Sequence, residues 1–293
     1  MQYVHSEYLT SAEELSKLID QDPSFDTLRI YDTSVVLKPH PPGYRAESGY
    51  NDYLGGHIPG AAFLDLKDKL SDTRSGLGFT LAKPEQLQQG FRAAGIGHTS
   101  QVVLYSSGHM MWATRAWWML HSAGHTRVSV LNGGLKTWQA KGQPLEQGEI
   151  TYSPGDFSVE MNSALWADKN EVLAAIDDTD ICTINALSPG VYSGSAEMHY
   201  GRKGHITNSR NVYYDDVLND GCFRPASELN QLFTAKGAMQ KPRVIAYCGG
   251  GISATIDALA LTLLGHKHVS VYDGSMSEWA KDENLPLVVG TDT

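Results

Sequence analysis

Cys248 is followed by Gly249, Gly250 and Gly251, then by Ile252, Ser253 and a segment with helical apolar spacing. Residues of these types in this order can do chemistry. Glycines let a backbone turn tightly with several N–H groups facing one point, which makes a nest for an anion. A helix beginning near Ser253 adds the positive end of its dipole to the same point. A cysteine at the mouth of such a loop is expected to have its thiolate stabilised. A second sulfur on it, as a persulfide anion, would sit where the amides converge, and no side-chain base is required. The plainer alternative is a buried apolar cysteine beside a tight turn. Three successive glycines are a costly way to make one.

Two other chemistries use loops of this kind. The cysteine loop of phosphatases and arsenate reductases needs an arginine six positions after the cysteine, to grip phosphoryl oxygens bidentately. Ala254 stands there, and no acid lies nearby in sequence for a leaving group. A dinucleotide fingerprint requires G-x-G-x-x-G, a spacing that Gly249 to Gly251 lack.

The loop must be held by a scaffold, and the scaffold is written twice. Leu87, Phe91, Gly95 and Tyr105 recur 142 residues later as Leu229, Phe233, Gly237 and Tyr247. From Gly124-His125 and Trp138 the offset is 141, to Gly265-His266 and Trp279. An ordered series of this sort marks an internal repeat. It divides the chain into residues 1–145, a Pro/Gly-punctuated linker over 146–160, and residues 161–293. The apolar runs Leu28–Tyr31, Val102–Tyr105 and Val128–Leu131 in the first copy, and Ile181–Ile184, Val244–Tyr247 and Val269–Tyr272 in the second, do not alternate. They therefore suit parallel strands covered on both faces. Between the last two strands of each copy lies an amphipathic helix, with Gly124 and Gly265 as its stops. The expected fold class is α/β, with two homologous domains, each a parallel central sheet flanked by helices and bearing its ligands at the strand carboxyl ends. The change of offset falls in the strand-to-helix loop, where the first copy reads Ser106-Ser107-Gly108-His109 in place of Cys248 and its glycines.

Composition bounds the function. Lys plus Arg total 23 against 33 Asp plus Glu in 293 residues, a formal charge of −10, which argues against a nucleic-acid footprint. No apolar run approaches the roughly 18–20 residues of a membrane span. The start, Met1 to Glu7, lacks the pattern of a signal peptide. Cys182, Cys222 and Cys248 form neither a disulfide framework nor a metal-ligand spacing. The expectations are no metal, no organic cofactor, no nucleic acid, no membrane, and a reduced, cytoplasmic home.

Taken together, the chain resembles a tandem-domain rhodanese-type sulfurtransferase, the family of thiosulfate and 3-mercaptopyruvate sulfurtransferases. The resemblance rests on Gly56-His57-Ile58-Pro59-Gly60-Ala61, Leu131-Asn132-Gly133-Gly134 with Trp138, Tyr247-Cys248-Gly249-Gly250-Gly251-Ile252-Ser253-Ala254, and Tyr272-Asp273-Gly274-Ser275 with Trp279. It implies a silent first copy, with Ser106 at the position of Cys248, against a catalytic second copy. It implies double displacement through a Cys248 persulfide, cradled by the amides of Gly249, Gly250, Gly251, Ile252 and Ser253. The partners are then a small-molecule sulfur donor and a thiophilic acceptor such as cyanide, a thiol or a protein cysteine. A non-catalytic sulfur carrier or thiol-binding module is the alternative.

The donor is left open. The neutral loop resembles that of mercaptopyruvate users, whereas a basic pair at 249–250 is expected to shift preference toward thiosulfate. Yet Asn185, Leu187 and Val191 stand where relatives of the mercaptopyruvate type place an acid and substrate arginines. Arg202 is the leading substitute anion clamp, with a solvated surface charge as its alternative; His57 and Arg45 are further candidates. His57 has a twin in His205, and a turn histidine is therefore its preferred reading. Arg115 is a weaker interface candidate, expected to be salt-bridged or exposed. Asp273, Trp279 and the Trp112, Trp117, Trp118 group read as packing. Cys182 is expected in a buried strand and Cys222 in an exposed polar loop.

Overall fold

The apolar runs become strands in the computed structural model, which describes residues 1–41 and 43–291. The first copy runs β1 Leu9–Thr10, α1 Ala12–Gln21, β2 Leu28–Asp32, a hairpin of β3 Val35–His40 and β4 Gly43–Ser48, α2 Tyr50–Gly55 and β5 Ala62–Phe63. It continues with α3 Pro84–Ala93, β6 Gln101–Tyr105, α4 Met111–Ser122, β7 Val128–Leu131 and α5 Gly134–Ala140. The second copy opens with β8 Trp166–Ala167, α6 Lys169–Ala175, β9 Ile181–Asn185, α7 Pro189–Ser193, β10 His205–Ile206 and β11 Arg210–Asn211. There follow β12 Leu218–Asn219, β13 Cys222–Phe223, α8 Ala226–Ala235, β14 Arg243–Tyr247, α9 Ala254–Leu263, β15 Val269–Tyr272, α10 Ser275–Trp279 and β16 Leu287–Val288. The β3–β4 hairpin has no counterpart in the second copy.

Each copy builds a five-stranded sheet, ordered β1-β7-β6-β2-β5 and β8-β15-β14-β9-β11, with every pairing parallel. Twin strands thus occupy twin places. Local chemistry repeats too: Ser11 with Glu14, and Asp168 with Glu171, close capping boxes on the first helix of each sheet. Gly124 and Gly265, at φ +93° and +84°, end α4 and α9 in the left-handed conformation only glycine adopts freely.

A single apolar stripe was expected on α4 and α9, but both are buried almost all round. The reason is tertiary. Each helix covers its own sheet and also packs on its twin across the domain junction, where Thr114 and Thr255 bring their hydroxyls within 2.7 Å. Trp117 and Trp118 donate to the carbonyls of Val128 and Leu165, so they pack the core and the junction as expected. Residues 146–160 lie along the first domain: Glu146 pairs with His57, Tyr152 donates to Gly60, and Phe157 is buried.

The domains also exchange arms. The Leu81 amide donates to Asp273 Oδ2 at 2.7 Å, and its twin, the Phe223 amide, donates to Asn132 Oδ1 at 2.9 Å. Cys222 therefore lies in a short strand, half-buried against Thr137, rather than in an exposed loop. Cys182 is buried in β9 as expected, and burial pushes its thiol up. Among the described residues no helix is long and apolar enough to cross a membrane.

One buried carboxyl stands out in α9. Asp257 is fully buried with neither carboxyl oxygen partnered, and its twin is Ala116. Burial, then the nearby Asp216, raises its pKa well above the ordinary value, so the folded protein holds it protonated. The unfolded chain releases that proton above about pH 4, so the folding penalty grows as pH rises. Asp257→Ala is expected to raise the thermal midpoint at pH 8, with the gain narrowing toward pH 5. A pH-independent difference would refute the assignment.

Candidate active site around Cys248

The carboxyl end of β14 delivers Cys248, and the first turn of α9 closes the loop behind it. Gly251 takes φ +71°, and a side chain there would meet the Asp273 carbonyl at 2.7 Å. A side chain at 249 would meet the Tyr200 hydroxyl at 2.0 Å, whereas one at 250 would make only ordinary contacts, 3.6 Å from the Gly78 carbonyl and 3.8 Å from Ser277 Oγ. A basic pair at 249–250 therefore requires the Tyr200 ring to move, whereas position 250 alone accepts a side chain without displacing it.

Ser275 organises the loop from the neighbouring strand end. Its backbone is left-handed at φ +48°, and its hydroxyl donates to the Tyr272 carbonyl while accepting from the amides of Cys248 and Gly251, each at 3.1 Å. The Cys248 and Gly249 carbonyls accept from the amides of Met276 and Ser277. The amides of Gly249, Gly250, Ile252 and Ser253 have no acceptor among the described residues. Four unspent donors in the residues that follow Cys248, at the amino end of α9, are what an anion site there would require. Gly251 was expected among them but is turned to Ser275.

The twin loop shows why the first copy is different. There the Ser107 amide donates to Ser34 Oγ at 2.8 Å and the Gly108 amide to Ser106 Oγ at 3.2 Å, so its nest is filled by hydroxyls. Ser34 follows a turn in which its amide donates to Asp32 Oδ1; in the second copy the Leu187 amide donates to Asn185 Oδ1 in the same way, each at 2.8 Å. Leu187 thus stands where Ser34 stands, and its apolar side chain cannot fill the nest.

Cys248 is itself 2% exposed, yet it lines a cleft of about 760 Å³ between the domains. The first domain contributes the β3–β4 hairpin with Tyr44 and Arg45, then Phe79, Met111 and Trp112; the second contributes Met198, His199, Tyr200 and the loop. Burial, and next the neighbouring Cys248, raise the Tyr200 phenol above its ordinary range, so it remains a neutral donor. A larger cavity of 860 Å³ in the first domain is lined by residues such as Phe63 and Tyr152 and includes no cysteine. Among the described residues no three His, Cys, Asp or Glu side chains are grouped to hold a metal ion.

The candidate anion clamps separate sharply. Arg202 is not at the cleft: its guanidinium donates to the carbonyls of Trp279, Ala280, Asp282 and Leu285, where it ties down the end of α10. His57 is fully buried in the first domain, stacked on Tyr53 with its ring nitrogens on the Ile58 and Gly148 carbonyls. It is a turn histidine, as is His205, stacked on Tyr192. Arg45 does reach the cleft rim but is exposed and paired with Glu47.

Arg115, expected to be salt-bridged or exposed, is fully buried. It donates to the carbonyls of Gly251 (3.0 Å) and Phe79 (2.7 Å), pairs with Asp273 at 2.7 Å, and lies over the Trp166 ring. Asp273 is therefore more than packing, and Ser275, Phe79 and Tyr200 were not singled out by sequence. The signal was present in the differences between copies: Asn132 against Asp273, Gly134 against Ser275, and Ile256 against Arg115.

Comparison with known proteins agrees with this fold. A family profile described as Rhodanese-like domain matches residues 11–141 and 169–282. The chain is 32% identical over 282 residues to the 3-mercaptopyruvate sulfurtransferase of Escherichia coli (strain K12), covering 96% of this chain and 97% of that one. It is 35% identical over 248 residues to SseB of Mycobacterium tuberculosis, named a putative thiosulfate sulfurtransferase, covering 83% and 87%. The crystal structure of SseA from Escherichia coli, described among 3-mercaptopyruvate sulfotransferases, superposes with a TM-score of 0.80 at 29% identity, covering 92% of this chain and 98% of that one.

Two outcomes test these assignments. Leu187→Ser, which supplies the hydroxyl that fills the first copy's nest, is expected to slow iodoacetamide alkylation of Cys248 about tenfold, the equivalent of one competing hydrogen bond. Leu187→Ala should leave that rate near wild type. Arg202→Ala should lower the thermal midpoint while leaving the alkylation rate unchanged, because the side chain holds carbonyls rather than an anion.

Proposed function

The chain belongs to the rhodanese-like domain family, in two copies, and on that premise we propose that it is a sulfurtransferase working through a persulfide on Cys248. Residues 1–145 form the non-catalytic copy and residues 161–293 the catalytic one, joined by 146–160. The observation that supports this reading best is the nest of four open amides beside Cys248, against a first-copy nest closed by Ser34 and Ser106.

The reaction is a double displacement. Cys248 thiolate attacks the sulfane sulfur of the donor. With thiosulfate the S–S bond breaks and its electron pair leaves on sulfite. With 3-mercaptopyruvate the C–S bond breaks, and the carbon takes up the proton of the original thiol to give pyruvate. Either route leaves one negative charge on the outer sulfur of Cys248, held by the amides of Gly249, Gly250, Ile252 and Ser253. Those donors are fixed before the charge arrives, so little reorganisation is needed. A thiophilic acceptor (cyanide, a small thiol or a protein cysteine) then removes the outer sulfur and returns the thiolate. The chemistry needs Cys248 reduced, which suits a cytoplasmic setting.

A second reading is favoured by one feature: the cleft has no arginine free of a carboxylate partner among the described residues. On that reading the protein is a sulfur carrier, loaded once and discharged to a specific protein thiol. Incubation with thiosulfate or 3-mercaptopyruvate is expected to add one sulfur to the intact mass, removed by cyanide, with repeated turnover; Cys248→Ser should abolish both. Loading without turnover would favour the carrier, and full turnover by Cys248→Ser would overturn both readings.

A further inference from the structure

The first domain seats the linker in a socket that the second domain repeats. Tyr152 enters the first socket beside β2 and β5. Its hydroxyl accepts from the Ile30 amide at 3.2 Å and donates to the Gly60 carbonyl at 2.5 Å. The Arg29 guanidinium lies 4.5 Å from the centre of its ring. Gly95 permits the approach, since a side chain there would meet Tyr152 Cβ at 2.4 Å. The chain beyond continues the seat: the Gly155 amide donates to the Arg92 carbonyl, and Asp156 Oδ1 accepts from the His98 amide.

Strand register carries each of these groups into the second copy. Tyr31 pairs with Ala62 as Ile184 pairs with Arg210. Ile30 therefore corresponds to Thr183, Arg29 to Cys182, Gly60 to Asn208 and Gly95 to Gly237. Asn208 even keeps the left-handed backbone, φ +60° against +76° at Gly60. Cys182, Thr183, Asn208 and Gly237 line a cavity of about 450 Å³. The Ala186 amide donates to Tyr247 on β14, and alternate residues of a parallel strand face opposite neighbours. The Thr183 amide thus points toward β11, which begins only at Arg210. Thr183 is buried, yet its amide has no acceptor and the Asn208 carbonyl no donor among the described residues. Buried backbone groups are seldom left so. A side chain at Gly237 would meet nothing within 4 Å. The two groups that hold the phenol of Tyr152 are therefore present a second time, unspent, around a space no described residue fills.

The rim has gained charge. Arg210, Lys236 and Lys241 stand where the first copy has Ala62, Ala94 and Thr99. Lys241 donates to the Thr179 carbonyl. Asp177 and Asp178 also line the cavity, the latter accepting from the Asp180 amide.

We infer that this groove docks an extended segment of a partner protein that presents a tyrosine with carboxylates beside it. That is the chemistry with which Glu149, Tyr152 and Asp156 occupy the first domain. The ring enters between Cys182 and Gly237, its hydroxyl joins the Thr183 amide to the Asn208 carbonyl, and the carboxylates meet Arg210 and Lys236. The groove lies at the amino ends of β9 and β14, whereas Cys248 follows the carboxyl end of β14. Docking is therefore separate from the sulfur chemistry and does not depend on it.

The probe is a fluorescein-labelled synthetic peptide with the sequence of residues 148–158, titrated into the full chain and read by anisotropy. Saturable one-to-one binding is expected. The chain's own linker, tethered in place, keeps the first socket closed to the peptide. Tyr152→Phe in the peptide should weaken binding about tenfold, since two hydrogen bonds are lost. Arg210→Ala and Lys236→Ala, both at exposed positions, should each weaken it severalfold at low salt and less at high salt. Gly237→Asn sets a side chain in the socket on a left-handed backbone that asparagine tolerates. It should abolish binding with the circular dichroism spectrum unchanged. Cys248→Ser should bind as the wild type does. No binding, equal binding of the tyrosine and phenylalanine peptides, or binding indifferent to both Arg210→Ala and Lys236→Ala would overturn the inference. Self-association of the wild-type chain that Gly237→Asn removes would assign the groove to a second copy and overturn the partner.

Discussion

One buried guanidinium joins everything that matters at the site. Arg115 leaves the first domain on α4 and reaches the Gly251 carbonyl inside the catalytic loop, the Phe79 carbonyl in the opposite wall and the Asp273 carboxylate at the end of β15. A charge this deeply buried is tolerable only when paired and hydrogen-bonded, so its partners are held to one arrangement. Gly251 must turn its carbonyl toward the guanidinium, while its own amide goes to Ser275 and the amides on either side of it stay without an acceptor among the described residues. The first domain is thus part of the Cys248 loop's geometry, even though the amides of its own loop are taken by serine hydroxyls.

The two copies reach opposite outcomes from one architecture. Both bring a strand, a tight loop and a helix to the carboxyl edge of the same five-stranded sheet. In the first, serine hydroxyls satisfy the loop amides, and satisfied donors have little left to offer an anion. In the second, Leu187 removes one such hydroxyl and Ser275 draws off only the amides of Cys248 and Gly251. What remains is a set of four loop amides with no acceptor among the described residues. Unsatisfied polar groups of this kind are costly in a structural core and useful in an active site. The left-handed backbone of Ser275, where the first copy has Gly134 at φ +59°, is a local cost of the same origin.

Much was legible in the amino-acid order because it depends on neighbours along the chain. Strand and helix positions follow from apolar periodicity, the helix stops from Gly124 and Gly265, and the doubled architecture from a near-constant offset. A candidate nucleophile was legible as well, since a cysteine before three glycines and a helix stands out by residue type and spacing. Local order could not say which cations face the sulfur. Arg202 lies two residues from Tyr200 in the cleft wall, yet its guanidinium turns away to four carbonyls of the α10 region. Its destination depends on residues about eighty positions later in the chain.

The sequence by itself determined the two-domain α/β scaffold, the family resemblance and the placing of a cysteine before three glycines at a strand end, because those depend on spacing and residue type. Only the tertiary structure decided which amides stay open, that Arg115 and Asp273 bind the halves together across the loop, and that the cleft wall is aromatic rather than basic. The physical reason is that charge pairing and desolvation are set by distance in space. Residues 115, 251 and 273 become neighbours only when the twin helices α4 and α9 pack against each other.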